Sequence, residues 1–147
     1  MTATLRPLTA SDKDQWTALW RDYLEFYQAT LPDSQFDLQF ARLIGDDPRD
    51  FNGIVAEIDG QLVGIVHFVF HRHGWHAEDV CYLQDLYVAP VARATGQGRA
   101  LIEAVYAAAD AAGAANVYWL TQSFNTTARQ LYDRVGRETP FLKYQRS

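Results

Sequence analysis

An arginine three residues ahead of one glycine and five ahead of another is the spacing in this chain with the clearest chemistry. Arg93, Gly96 and Gly98 follow an apolar run that ends in Val88, Ala89 and Pro90, and they lead straight into an apolar stretch around Leu101. Glycines there let the backbone bend tightly, so that successive N–H groups at the start of a helix point at one anion. The helix dipole favours negative charge at that end, and Arg93 and Arg99 bring positive charge close by. The ligand implied is a phosphorylated cofactor, not a metal or a nucleic acid. Two familiar nucleotide loops do not fit. A Walker loop needs Lys and then Ser or Thr after its last glycine, where Arg99 and Ala100 stand. A dinucleotide fingerprint needs a third glycine and an acidic residue about twenty positions on.

Other reactive side chains have plainer readings. His71, His73 and His76 crowd one short segment, but their spacing matches no standard zinc site and no thiolate pair accompanies them. Cys81, without a flanking histidine, reads as a small buried hydrophobe, and His67 reads as a packed histidine on a strand.

The elements that must position the glycine loop follow from hydrophobic periodicity. Leu5 to Leu8 reads as a short strand, and Ser11 with Asp14 as a helix-starting pair. Trp16, Leu19, Trp20, Tyr23, Leu24 and Tyr27 keep the three-and-four spacing of one helical stripe, which Pro32 closes. Phe36, Phe40, Leu43 and Ile44 repeat the stripe before Gly45. From Phe51 to Phe70 the pattern turns strand-like and is split by Asp59-Gly60, a hairpin signal. Val80 to Val88 is the next strand, and Leu101, Ala104, Val105 and Ala108 mark a helix that ends near Gly113. A strand from Val117 to Thr121, a helix through Ala128, Leu131, Tyr132 and Val135, and a last strand from Phe141 to Tyr144 complete the order β, α, α, β, β, β, α, β, α, β. This is a mixed α/β (α+β) pattern in which the two strands flanking the glycine-loop helix can run parallel.

The chain has 147 residues, of which 48% are hydrophobic and 21% charged, enough for one packed domain over 1–147. A net charge of −5 argues against a nucleic-acid surface and mildly favours a cationic substrate. The single cysteine allows no internal disulfide and fits a reducing, cytoplasmic setting; no apolar span predicts a membrane crossing or secretion.

The loop resembles the acyl-CoA motif of the GNAT superfamily of N-acetyltransferases: Arg or Gln, two residues, Gly, one residue, then Gly or Ala. Arg93, Ala94, Thr95, Gly96, Gln97 and Gly98 fill it in register. Leu86, Tyr87 and Val88 with Pro90, and the later set Asn125, Ala128, Tyr132 and Gly136, are similar as well, and the element order extends the resemblance over essentially the whole chain. More narrowly, Tyr82 to Val88 and Val117 to Trp119 resemble a subgroup of fungal histone and amino-acid acetyltransferases and, more distantly, polyamine acetyltransferases. Those polyamine enzymes usually carry Glu where this chain has Gln84, and many superfamily members have an aromatic where Arg137 stands.

The resemblance implies a central mixed, mostly antiparallel sheet with helices on both faces, splayed between the strands at 80–88 and 116–121. It implies an acetyl-CoA-dependent N-acetyltransferase that uses no metal and acts by direct attack of a primary amine. The acceptor is a small molecule, an amino acid or a polyamine-like amine. The backbone of Leu86, Tyr87 and Val88 would meet the thioester and pantetheine arm; Arg93, Ala94, Thr95, Gly96, Gln97, Gly98 and Arg99 would hold the pyrophosphate. Asn125 would touch the pantetheine arm. Tyr132 stands where the family places its general acid, and a phenol of pKa about 10 is protonated at neutral pH. Asp85 would serve as base or as ionic anchor, since alternate residues of its strand can enter a cleft.

Plainer roles compete: a core tyrosine, a carboxylate paired with an arginine, an asparagine that starts a helix. A protein or peptide lysine acetyltransferase and a non-catalytic acyl-CoA-binding module are the alternative functions, the complete loop with Tyr132 and Asp85 speaking against the latter. Similar proteins are commonly homodimers, and Phe141 to Tyr144 would be a pairing edge.

Overall fold

The computed structural model describes residues 2–147. Five strands form one sheet in sequence order: β1 (Thr4–Pro7), β2 (Asn52–Ile58), β3 (Gln61–His71), β4 (Val80–Val88) and β5 (Val117–Tyr118). Neighbours pair antiparallel except β4 and β5, which run parallel. Helices α1 (Lys13–Phe26) and α2 (Asp33–Ile44) precede β2, α3 (Gln97–Ala112) crosses from β4 to β5, and α4 (Thr126–Val135) follows. The fold is the mixed sheet with helices on both faces that the sequence predicts.

Each face has its own apolar layer. Trp16, Leu19 and Trp20 of α1 and Phe36, Phe40 and Leu43 of α2 bury against Val55, Leu62 and Ile65. On the other face Leu101, Ile102, Val105 and Ala109 of α3 cover Ala56, Val66, Phe68, Cys81 and Leu83. Fully burying one such aliphatic or aromatic side chain contributes about 1.5–3 kcal/mol, so these stripes dominate the sheet's stability. The hairpin from β2 to β3 turns at Asp59 and Gly60, whose φ values of 51° and 80° match the strand twist as the Asp-Gly signal requires.

Two bulges interrupt the alternation of side chains. One falls where Ala56 pairs with Gly64 but Glu57 with Leu62. The other falls where His67 pairs with Asp85 but Phe68 with Leu83, leaving Gln84 as the extra residue of β4. Before that bulge Cys81 and Leu83 face α3; after it Leu86 and Val88 do, while Tyr87 joins the α1 layer.

Three sequence expectations are corrected. The start of α1 is organised by Asp12 beside Thr9, whose N–H donates to the Asp12 carboxylate at 2.8 Å, and not by Ser11 and Asp14. β5 ends at Tyr118, short of Thr121, because α4 and its approach turn away from the sheet. Residues 137–147 contain no strand: Phe141 to Tyr144 pairs with none of the described strands, and Phe141, Leu142 and Tyr144 are 73%, 81% and 91% exposed.

The fold is locked at the foot of α1 by Arg6. Its fork donates to both Asp12 oxygens at 2.8 Å and to Glu57 at 2.9 Å, tying β1, β2 and the helix start together. Beside that guanidinium the Asp12 carboxyl is held down from 3.8 to about 2, so the folded state binds protons less readily than the unfolded chain. Its contribution is full above pH 4 and is lost as pH falls through about 2. Urea unfolding at pH 7 is expected to show Asp12→Asn destabilised by about 2 kcal/mol, and most of that difference is expected to vanish by pH 2.

Candidate active site

The bulge at Gln84 determines where Asp85 points. With uninterrupted alternation Asp85 would follow Cys81 and Leu83 toward α3; the extra residue turns it instead to the face covered by α1 and α2. There its Oδ2 lies 2.8 Å from His67 Nδ1, directly across the strand pair. Trp16 Nε1 sits 2.9 Å from His67 Nε2. An indole N–H can only donate, so Nε2 accepts, the ring proton sits on Nδ1, and His67 donates to Asp85. Trp16 and His67 are 0% and 1% exposed. The partner of Asp85 is thus a histidine held from α1, not the arginine that a structural ion pair would have used.

Asp85 also borders a cleft of about 450 Å³ under α1 and α2. Trp20, Tyr23, Leu24 and Tyr27 of α1 form one wall, Gln35, Gln39 and Arg42 of α2 another, with Leu31, Pro32, Phe51 and Gln84 closing the rest. Burial, and then the charge on Asp85, hold the Tyr23 phenol far above its ordinary value and raise those of Tyr27 and Tyr82. The sequence places Tyr23 and Tyr27 on the same helical stripe as Trp16 and Leu19. Their half-burial and polar tips, at the end of the helix nearest Pro32, are what set them apart from Trp16 and Leu19.

β4 and β5 pair only at Cys81 with Val117 and Tyr82 with Tyr118. From Leu83 to Val88 that edge of β4 therefore has no strand beside it, and its backbone groups remain available for a ligand. Tyr132 of α4 flanks the same gap, its ring edge-on to Trp119 at 5.5 Å. Burial, and then neighbouring Tyr27, push its phenol up to about 12.

The glycine loop sits at the end of β4. Arg93 folds back, its Nε donating to Val88 O at 3.0 Å and its guanidinium lying 5.6 Å from the Tyr87 ring centroid. Thr95 Oγ1 closes the turn on Ala92 O. Ala94 and Gly96 take left-handed φ values of 62° and 85°, a pattern that curls successive N–H groups toward a common point. The α3 ladder opens with Ala100 N–H donating to Gly96 O at 3.0 Å, which leaves the N–H groups of Gln97, Gly98 and Arg99 without an acceptor in the ladder. Arg99 itself pairs with Glu103 at 2.7 Å. These features fit a pyrophosphate: donors in a row, a helix N-terminus, and no side chain in the way at Gly96, where an added Cβ meets nothing within 4 Å.

Asn125 stands just before α4 without capping it; its Nδ2 donates to Thr121 Oγ1 at 3.3 Å. His71 is tied to Tyr118 at 2.7 Å, Cys81 is buried, and among the described residues no three His, Cys, Asp or Glu side chains gather to hold a metal. Nor is any described helix long and apolar enough to cross a membrane.

Comparison with known proteins agrees with this layout. The chain is 34% identical to the D-amino-acid N-acetyltransferase HPA3 of Saccharomyces cerevisiae over 144 residues, covering 97% of this chain and 89% of that one. It is 29% identical to the uncharacterized N-acetyltransferase YhfO of Bacillus subtilis, covering 95% and 94%. Among solved structures, AAC(6')-Iy in complex with a CoA-based bisubstrate analogue superimposes with a TM-score of 0.86 at 18% identity, over 100% of this chain and 99% of that one. A ribosomal-protein-alanine N-acetyltransferase from Brucella melitensis gives 0.80 at 20% identity over 99% of each chain. Residues 16–136 match the Acetyltransferase (GNAT) family, which takes in the splay, the glycine loop and both flanking helices, and the chain belongs to that family of acetyl-CoA-dependent N-acetyltransferases.

Proposed function

We propose that residues 1–147 form one domain that acetylates the primary amine of a small molecule bound in the cleft beneath α1 and α2. The observation that carries this reading is Asp85, turned into that cleft by the bulge and set beside the unpaired stretch of β4. The name of the yeast relative, a D-amino-acid N-acetyltransferase, supports a small-molecule acceptor over a protein lysine.

The loop from Arg93 to Arg99 holds the pyrophosphate, with the N–H groups of Gln97, Gly98 and Arg99 as donors and Gly96 supplying the left-handed turn. The backbone of Leu86, Tyr87 and Val88 lines the pantetheine arm and offers a hydrogen bond to the thioester carbonyl; Asn125 borders the arm from α4. Acetyl-CoA bound there supplies an acetyl thioester. Asp85 anchors the acceptor's ammonium and takes up its proton, directly or through water, as the amine becomes a nucleophile. Tyr132 Oη places its proton on the departing sulfur. The burial that lifts this phenol disfavours a thiolate in the same place, so the donor and the group it protonates rise together.

We also propose a homodimer and a cytoplasmic setting. The tail's exposed Phe141, Leu142 and Tyr144 follow β5 in the chain, no described strand covers the outer edge of β5, and the tail of a second copy is the occupant we assign to that edge.

Tyr132→Phe is expected to lower kcat about 100-fold while calorimetry finds CoA affinity within a few-fold of wild type; unchanged turnover would assign the acid elsewhere. Gly96→Val places a β-branched residue at a φ of 85°, and is expected to weaken CoA binding at least ~10-fold with the circular dichroism spectrum retained. Removal of residues 138–147 is expected to convert the dimer to a monomer in sedimentation equilibrium.

A further inference from the structure

We propose that the acceptor cleft is built for a zwitterion, an α-amino acid whose carboxylate is held by Arg42 while its ammonium sits on Asp85. This inference rests on the acetyl-transfer reading above and narrows its acceptor.

Among the described residues, Arg42 and Asp85 are the only charged ones lining the cleft. Arg42 projects from the same face of α2 as Gln35 and Gln39, seven and three residues back, which also line it. The acids of α2 are engaged elsewhere, Asp37 with Lys13 at 2.9 Å and Asp33 with Arg21 at 3.8 Å. Arg6, Arg21, Arg49, Arg99 and Arg129 all pair with carboxylates, whereas Arg42 makes no ion pair among the described residues. Asp85 does not neutralise it either; its partner is His67. Two opposite charges thus face one cleft without meeting.

A ligand that carries both charges satisfies both groups at once. A guanidinium presents two parallel N–H donors in the plane of a carboxylate, which an ammonium cannot exploit. A polyamine would set its second cation against Arg42 and lose what it gained at Asp85. A simple amine would leave Arg42 unused. The rest of the lining is largely aromatic and aliphatic, with Tyr23, Leu24, Tyr27, Leu31 and Phe51 among it, so the amino acid's own side chain is apolar or aromatic; a charged one would be desolvated there without a partner.

The test compares D- and L-phenylalanine with phenethylamine, which keeps the amine and ring but lacks the carboxylate, and with spermidine. CoA release is measured for wild type and Arg42→Gln, and calorimetry in saturating CoA measures binding of the same compounds without turnover. Arg42 is only half-buried on a surface helix, so thermal unfolding of the variant is expected to match wild type.

The expected result is that wild type favours one phenylalanine enantiomer over phenethylamine by ~100-fold in kcat/KM, and that Arg42→Gln collapses this ratio to within a few-fold. Arg42→Lys, which keeps the charge but not the fork, is expected to fall between them. A wild type that uses phenethylamine or spermidine as well as phenylalanine overturns the zwitterion subsite, as does an Arg42→Gln variant with an unaltered ratio. Phenylalanine binding that depends on Arg42, with no CoA released from any acceptor, supports the subsite and sinks the transfer reading instead.

Discussion

One extra residue in β4 governs the arrangement of this molecule. A strand shows alternate side chains to opposite faces, and Cys81 and Leu83 set that phase toward α3. Had it continued, a carboxylate at position 85 would have been driven into an aliphatic layer among Val66, Leu101 and Val105, where an unpaired charge costs several kcal/mol. The bulge at Gln84 reverses the phase, so that Asp85 meets His67 across the pair and Tyr87 joins the aromatic layer of α1. The same reversal sends Leu86 and Val88 to the α3 face just before the chain turns into the glycine loop. A single insertion thus assigns the acidic group to one side of the sheet and the loop's apolar footing to the other.

The parting of β4 from β5 completes the site. After two parallel pairs β5 leaves, and Gly136 lets α4 come close enough that an added Cβ there would meet the Trp119 ring at 3.0 Å. Tyr106 secures the end of that helix by donating to Val135 O at 2.7 Å. Tyr132 is held at the gap by this packing, its ring edge-on to Trp119. Asp85 and Tyr132 therefore come from opposite faces of one sheet, beside the stretch where it is open.

The glycine loop and most of the helices were legible because their signals are local. Left-handed positions call for glycine, and Gly96 takes one; periodic apolar residues predict a stripe, and Trp16, Trp20, Phe36 and Phe40 form one. The bulge was not legible, since nothing in Tyr82 to Tyr87 marks Gln84 as the inserted residue; it emerges only from the pairing with His67. For the same reason the partner of Asp85 was hidden: His67 and Trp16 are 51 residues apart, and their 2.9 Å contact depends on α1 crossing β3. The start of α1 was misplaced because Thr9 with Asp12 and Ser11 with Asp14 have the same spacing, and only the reach of Arg6 from β1 selects the first. The tail at Phe141 to Tyr144 is rich in strand-forming residues yet pairs with no strand of its own chain.

The site also explains why α1 carries so many rings. Trp16 must donate to a histidine, Trp20 stacks on it with centroids 5.1 Å apart, and Tyr23 and Tyr27 present hydroxyls near a carboxylate. Aliphatic residues would bury comparable area but offer no polar tip, and the histidine that steadies Asp85 would lose its own partner. Because each ring has an apolar body and Trp16 also has its polar edge in use, α1 serves as the core of one face and as the wall of the cleft at once. A helix with this double duty has little freedom to shift along the sheet, and that restriction keeps the Trp16 indole in register with His67 and so holds His67 against Asp85.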